Sequence, residues 1–242
     1  MSPENTPPKR KNSVGLTYAV TIGLLILGQL QALVAVEIDS LKVLRSSRHY
    51  FGLGAFFISF ISIQLYGFFY HILAKKPWYV RFLAGLWTFE ASTLAIMKPV
   101  RKPTYLSFFI SVFLTYLMLG IGWIYGSISA TKRRGCFMSR LRVVLWSERI
   151  FALTCFGVIV CAEMKRSGIE ITSMLVYTLI SNTFVVIFAA SMKRPHFFRE
   201  NIDSDYIFIA QLYYLNLFAL CMSYVWALDC FSFSFLNVMY WL

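Results

Sequence analysis

Seven apolar stretches, each long enough or nearly long enough to cross a bilayer, fill almost all of this 242-residue chain. That feature settles the class of fold before any motif is considered. A hydrocarbon core of ~30 Å takes ~20 mostly apolar residues per helix. Only helices and closed barrels satisfy their own backbone polar groups in lipid, and these runs are too long and continuous to be barrel strands. Composition agrees: 58% of the residues are hydrophobic, 14% are charged, and the mean hydropathy is +0.65. The expectation is an all-α membrane protein, a seven-transmembrane-helix bundle.

The spans are predicted at 14–36, 50–74, 82–97, 105–129, 144–162, 171–192 and 206–228, the third and fifth being short. Residues 1–13 are polar, rich in proline and basic, and are predicted to be disordered. Residues 14–229 form the transmembrane domain. The apolar tail 230–242 is too short to span alone and is expected to lie at the interface or to extend the bundle. Helix one is too long for a signal-peptide core and reads as a signal anchor.

The net charge of +12 sits in the connections between spans, so it speaks for topology and against nucleic acid. Counting Arg149, near the start of the fifth span, with the connection before it, fifteen of the 23 basic residues fall in the N-terminal segment and the even-numbered connections, including Lys75, Lys76, Arg81, Lys132, Arg133 and Arg134; eight fall in the others. This imbalance predicts a cytosolic N-terminus. The five cysteines are an odd count, and those in spans are expected to be free thiols. No phosphate-binding glycine loop, G-x-S-x-G elbow or H-E-x-x-H occurs, and His49, His71 and His196 are scattered. The chain is therefore not expected to be an enzyme, and no cofactor or metal is expected. A receptor coupled to G proteins is disfavoured by the cytosolic N-terminus and by the lack of Asp-Arg-Tyr after helix three and Asn-Pro-x-x-Tyr in helix seven.

One carboxylate lies near the middle of a span. Glu90 stands in LWTFEASTL, where a carboxylate costs ~2.5–3.5 kcal/mol on insertion scales, so it is expected to face the bundle interior. Two uses compete: an ion or proton site, and a hydrogen-bond node between helices. Gln29, Gln31, Gln64, Asn182, Gln211 and Asn216 are candidate partners, and Glu90 is expected to lie near the helices that carry Gln64, Asn182 or Asn216. Amides of this kind serve helix packing better than they serve a divalent cation.

The run KKPWYVRFLAGLWTFEASTLAIM carries Lys75, Lys76, Pro77, Trp87, Thr88 and Glu90. Ala130, Thr131 and Lys132 follow helix four, and DSDYIFIAQLYYLNLFALCMSYV carries Asp205, Tyr206, Phe208, Ala210, Leu212, Tyr213, Leu217 and Phe218. In order and spacing these segments resemble the Bax-inhibitor/lifeguard family, most closely its diverged cytomegalovirus members. The resemblance implies a Bax-inhibitor type of bundle with Pro77, Thr88, Asp205, Tyr206 and Tyr213 at motif positions. It further implies a viral multi-pass protein in host intracellular membranes, in the endoplasmic reticulum, Golgi or viral assembly compartment. There it would bind host membrane proteins and blunt natural killer or death signals. Calcium-leak members of the family use two aspartates, one in each of the last two spans. Here the sixth span has no acidic residue and Asn216 stands at or beside the other position. Calcium conduction is thus the alternative expectation, not the leading one.

Overall fold

The computed structural model describes residues 13–37, 54, 57–58, 61–62, 64–66, 68–73, 75–97, 104–131, 167–192 and 206–239. Every element among them is helical: α1 (Ser13–Glu37), α2 (Tyr70–Leu73), α3 (Trp78–Met97), α4 (Tyr105–Thr131), α5 (Ser167–Met192) and α6 (Tyr206–Met239). The fifth predicted span, 144–162, lies outside the described residues, as do Asp205, Cys136 and most of the basic connections. Three described helices contain stretches long and apolar enough to cross a membrane: Val14–Val34, Tyr105–Ile128 and Tyr206–Asp229. A shorter apolar run, Met174–Ala190, lies within α5. The described residues form helices alone, and their apolar stretches make this a membrane-embedded protein.

Helix ends follow from local chemistry. The Thr104 Oγ1 accepts a hydrogen bond from the Ser107 backbone N–H at 3.2 Å, the bond an N-cap threonine makes to the third residue of the helix it opens. Pro77 opens α3: its carbonyl accepts from the N–H groups of Val80 (3.1 Å) and Arg81 (3.4 Å). Proline suits a helix start because its missing N–H would have no partner there. The third helix therefore begins at Trp78, four residues ahead of its predicted start at Phe82, and Arg81 belongs to its first turn rather than to a connection. At 20 residues, ~30 Å at 1.5 Å per residue, α3 matches a hydrocarbon core in length. The last helix runs unbroken through Asp229 to Met239, so the backbone of the apolar tail to that point is a continuation of α6.

The bundle is organised around α6. Every residue from Phe208 to Ser223 is buried, as are Val225 and Trp226. The helices α1, α3, α4 and α5 pack against it, and α4 also packs on α5. Each outer helix buries one face. On α4 that face is Ser107, Phe108, Ser111, Thr115, Leu119, Gly122 and Gly126; on α1 it is Thr17, Tyr18, Thr21, Leu25, Gly28, Gln29 and Ala32. Steps of three and four residues keep these positions on one stripe of a 3.6-residue helix. The opposite faces are apolar too: Leu106, Phe109 and Phe113 on α4 are 72%, 60% and 67% exposed. A lipid-facing surface has this composition, since lipid tails are as apolar as leucine.

Small residues set the spacing of two of these contacts. A Cβ on Gly126 would lie 2.7 Å from the Ala189 carbonyl oxygen, and one on Gly122 would lie 3.2 Å from the Ala189 Cβ. The two glycines stand four apart on one face of α4 and let its backbone approach α5, the small-xxx-small contact of membrane helices. On α1, Gly28 faces the Tyr214 hydroxyl and ring of α6 in the same manner.

Candidate functional site

Glu90 is half-buried on α3, on the side of the bundle where α1 and α6 converge. Its partner comes from α1: Gln31 donates Nε2–H to Glu90 Oε1 at 2.8 Å. Of the helices expected near it, α6, which carries Asn216, packs against α3, while the bond itself comes from α1. Asn182 is engaged on the other side of α6, accepting from the Tyr224 hydroxyl at 2.8 Å and donating to the Thr178 carbonyl at 2.9 Å. Asn216 is wholly buried on α6. Gln64 is half-buried in the second apolar stretch. The candidate triad of Glu90, Asn182 and Asn216 is thus spread along and around α6 rather than gathered at one point.

One helical turn from Glu90 lies a second node. The Thr93 hydroxyl donates to the Phe89 carbonyl at 2.7 Å and lies 2.5 Å from the Tyr214 hydroxyl. A threonine has one proton to give. With that proton on the Phe89 carbonyl, Tyr214 must be the donor to Thr93. The tyrosine ring is stacked on Phe218 (centroids 5.4 Å apart, planes at 22°) and tilted against Phe89 at 5.0 Å. A third node joins α1, α4 and α6: Tyr116 donates to Gln29 Oε1 at 3.3 Å, and Gln29 Nε2 reaches the Cys221 sulfur at 3.7 Å. A fourth is the Thr21 hydroxyl of α1, whose proton is shared between the Thr17 carbonyl of its own helix at 2.8 Å and the Ala210 carbonyl of α6 at 3.2 Å.

The motif positions fall into two groups. Tyr213 is fully buried, stacked on Phe188 at 5.3 Å and met edge-on by Tyr18 at 5.7 Å. Thr88 donates to the Ala84 carbonyl and, with Ser92, Gln211, Tyr66 and Tyr214, lines a small recess between α3 and α6. Pro77 is exposed at the start of α3, and Tyr206 is half-buried at the start of α6.

Chemically, these nodes join helices. Each pairs a side chain of one helix with a side chain or carbonyl of another, and none brings a nucleophile to a base. Among the described residues, no three of His, Cys, Asp and Glu come together as metal ligands. Glu90 meets a neutral amide, not a second carboxylate. Sequence reasoning placed Gln31 only among six possible partners and did not single out Tyr214, Tyr116 or Cys221. The signal that could have found the inner faces is the spacing of hydroxyl residues: Ser107, Ser111 and Thr115 recur every fourth residue, as do Thr17 and Thr21.

The chain matches no protein-family model, no curated protein and no solved structure. What the fold and its nodes define is a class: a helical membrane protein whose described helices pack around α6.

The Gln31–Glu90 bond supports a direct expectation. Glu90→Gln keeps an acceptor for Gln31 and should melt within about 0.5 kcal/mol of the parent protein. Glu90→Leu leaves the Gln31 amide without its partner and should cost ~1–3 kcal/mol. Thermal unfolding in detergent, followed by size-exclusion fluorescence, ranks the two. If the leucine variant is the more stable, the carboxylate is not a packing node.

Proposed function

We propose that this protein acts as a membrane-embedded interaction module, binding transmembrane segments of other membrane proteins, and that cation conduction is not its activity. The observation that carries this reading is the burial of α6 on every side from Phe208 to Ser223. The bundle axis is occupied largely by aromatic and aliphatic side chains. A leak pathway with pH gating draws on a close pair of carboxylates, one of which stays protonated. Glu90 is paired with the Gln31 amide instead.

The outer surface supplies what a partner helix needs. Leu83 and Trp87 of α3 are 60% and 61% exposed, and the Trp87 ring is held by an Nε1–H bond to the Ser62 hydroxyl at 2.9 Å. The likeness of the Lys75–Met97 and Asp203–Val225 segments to the cytomegalovirus branch of the Bax-inhibitor/lifeguard family supports a viral protein whose partners are host membrane proteins. On that reading the site of action is an intracellular membrane of the host, and the outcome is a blunted natural killer or death signal.

Purified protein in liposomes should pass calcium no faster than empty liposomes between about pH 6 and pH 8. A photo-crosslinking residue at Leu83 or Phe113, both outward, should capture membrane proteins in cells, while one at Tyr213 should capture none. Robust flux that Glu90→Gln abolishes would reverse the order and make the leak channel the better account.

A further inference from the structure

The turn between α2 and α3 gathers positive charge and aromatic surface in one short segment. Lys75 and Lys76 are exposed, and Arg81 follows within the first turn of α3. The Arg81 Nε is buried and makes no hydrogen bond, and no described carboxylate pairs with any of the three cations. Trp78, Tyr79 and Phe82 stand among them, 72%, 53% and 56% exposed. The Trp78 ring lies 6.4 Å from Tyr79 and 6.5 Å from Phe82, so the three rings form one patch.

The backbone holds this arrangement in place. Lys75 N–H donates to the Ile72 carbonyl at 3.2 Å and Lys76 N–H to the Leu73 carbonyl at 3.0 Å, while the Pro77 carbonyl accepts from Val80 and Arg81. The cations are therefore carried on a fixed turn.

Tryptophan and tyrosine settle at the level of lipid headgroups, where an apolar ring and a polar tip are both accommodated. Unpaired lysines and arginine at that level attract anionic lipid at about 1 kcal/mol each, a factor of about five per charge. Guanidinium adds a planar fork that matches a phosphate. A soluble anion would account for the charges but not for the exposed rings. We propose that the α2–α3 turn is a binding site for the headgroup of an anionic phospholipid, with Lys75, Lys76 and Arg81 on the phosphate and Trp78, Tyr79 and Phe82 against the glycerol and upper acyl chains.

The test uses the full chain in nanodiscs of phosphatidylcholine containing a small fraction of phosphatidylserine. Lipids retained on the protein are measured by native mass spectrometry. The parent protein is expected to retain phosphatidylserine well above its share of the bilayer. Lys75→Gln with Lys76→Gln and Arg81→Gln should lower that enrichment at least tenfold, and Trp78→Ala should lower it several-fold. Lys75→Arg with Lys76→Arg should preserve it, and the elution profile of each variant reports its folding. Three outcomes would overturn the proposal. The parent protein could show no enrichment. Glutamine at Lys132, Arg133 and Arg134 could remove as much enrichment as glutamine at the turn, making the effect one of total charge. Millimolar inorganic phosphate could strip the phosphatidylserine completely, making the ligand a free anion.

Discussion

Gly126→Val is expected to separate α4 from α5 and to cost ~2–3 kcal/mol of stability, the upper part of the range for overpacked interiors. The reason is what stands opposite. The Ala189 carbonyl oxygen and carbon lie 2.7 and 3.1 Å from where the first added carbon would go, and both are backbone atoms that cannot rotate away. One of the two helices must move. Gly120 lies on the same helix with nothing within 4 Å of its added carbon, so Gly120→Ala should be neutral or slightly stabilising through helix propensity. Melting of the two variants in the same detergent gives the comparison. Equal midpoints would mean that α4 and α5 do not meet in this register.

The other large effect is expected at Tyr214. Its ring fills the space between Phe89, Phe218 and Gly28, and its hydroxyl donates to Thr93. Tyr214→Ala removes the ring and leaves a cavity where three helices meet, for a loss of ~3–5 kcal/mol, the range for buried aromatics. Tyr214→Phe keeps the ring and removes one hydrogen bond, for a loss of ~1 kcal/mol. Thr93 keeps its own bond to the Phe89 carbonyl in that variant, so no donor is stranded. Unfolding titrations that give the two variants similar losses would show that the hydroxyl, not the ring, holds the junction.

The helices were legible because their apolar length is a property of sequence alone. The starts of α1, α4 and α6 fall within a residue of expectation, at Ser13, Tyr105 and Tyr206. The start of α3 lies four residues ahead of the apolar run because Pro77 opens the helix and Arg81, a charged residue, falls within its first turn. The arrangement of helices was not legible. In water a helix shows its buried side by contrast with its polar side, but here both sides are apolar and the contrast vanishes. Nothing in the hydropathy of α6 distinguishes it from α1 or α4, yet α6 is enclosed and they are not. The inward face of Glu90 could be anticipated from the cost of a carboxylate in lipid. Its bond to Gln31 could not, because that depends on how far α1 slides along α3, which the sequence spacing leaves open among six amides.

The enclosure of α6 also bears on how the chain is made. A ribosome releases α1, α3, α4 and α5 before it releases the helix they surround. Until then their inner stripes face one another or lipid, with Thr21, Gln29 and Thr93 waiting for groups on a segment not yet synthesised. Apart from the contact of α4 with α5, the early helices therefore cannot close on their final neighbour. The α4–α5 pair, α1 and α3 must leave room for the latecomer to enter between them. Contacts between residues nearly two hundred positions apart, such as Thr21 with Ala210 and Gln29 with Cys221, are then the last to form. For this architecture, insertion of each span and assembly of the bundle are separate events in time, and the second begins only when α6 arrives.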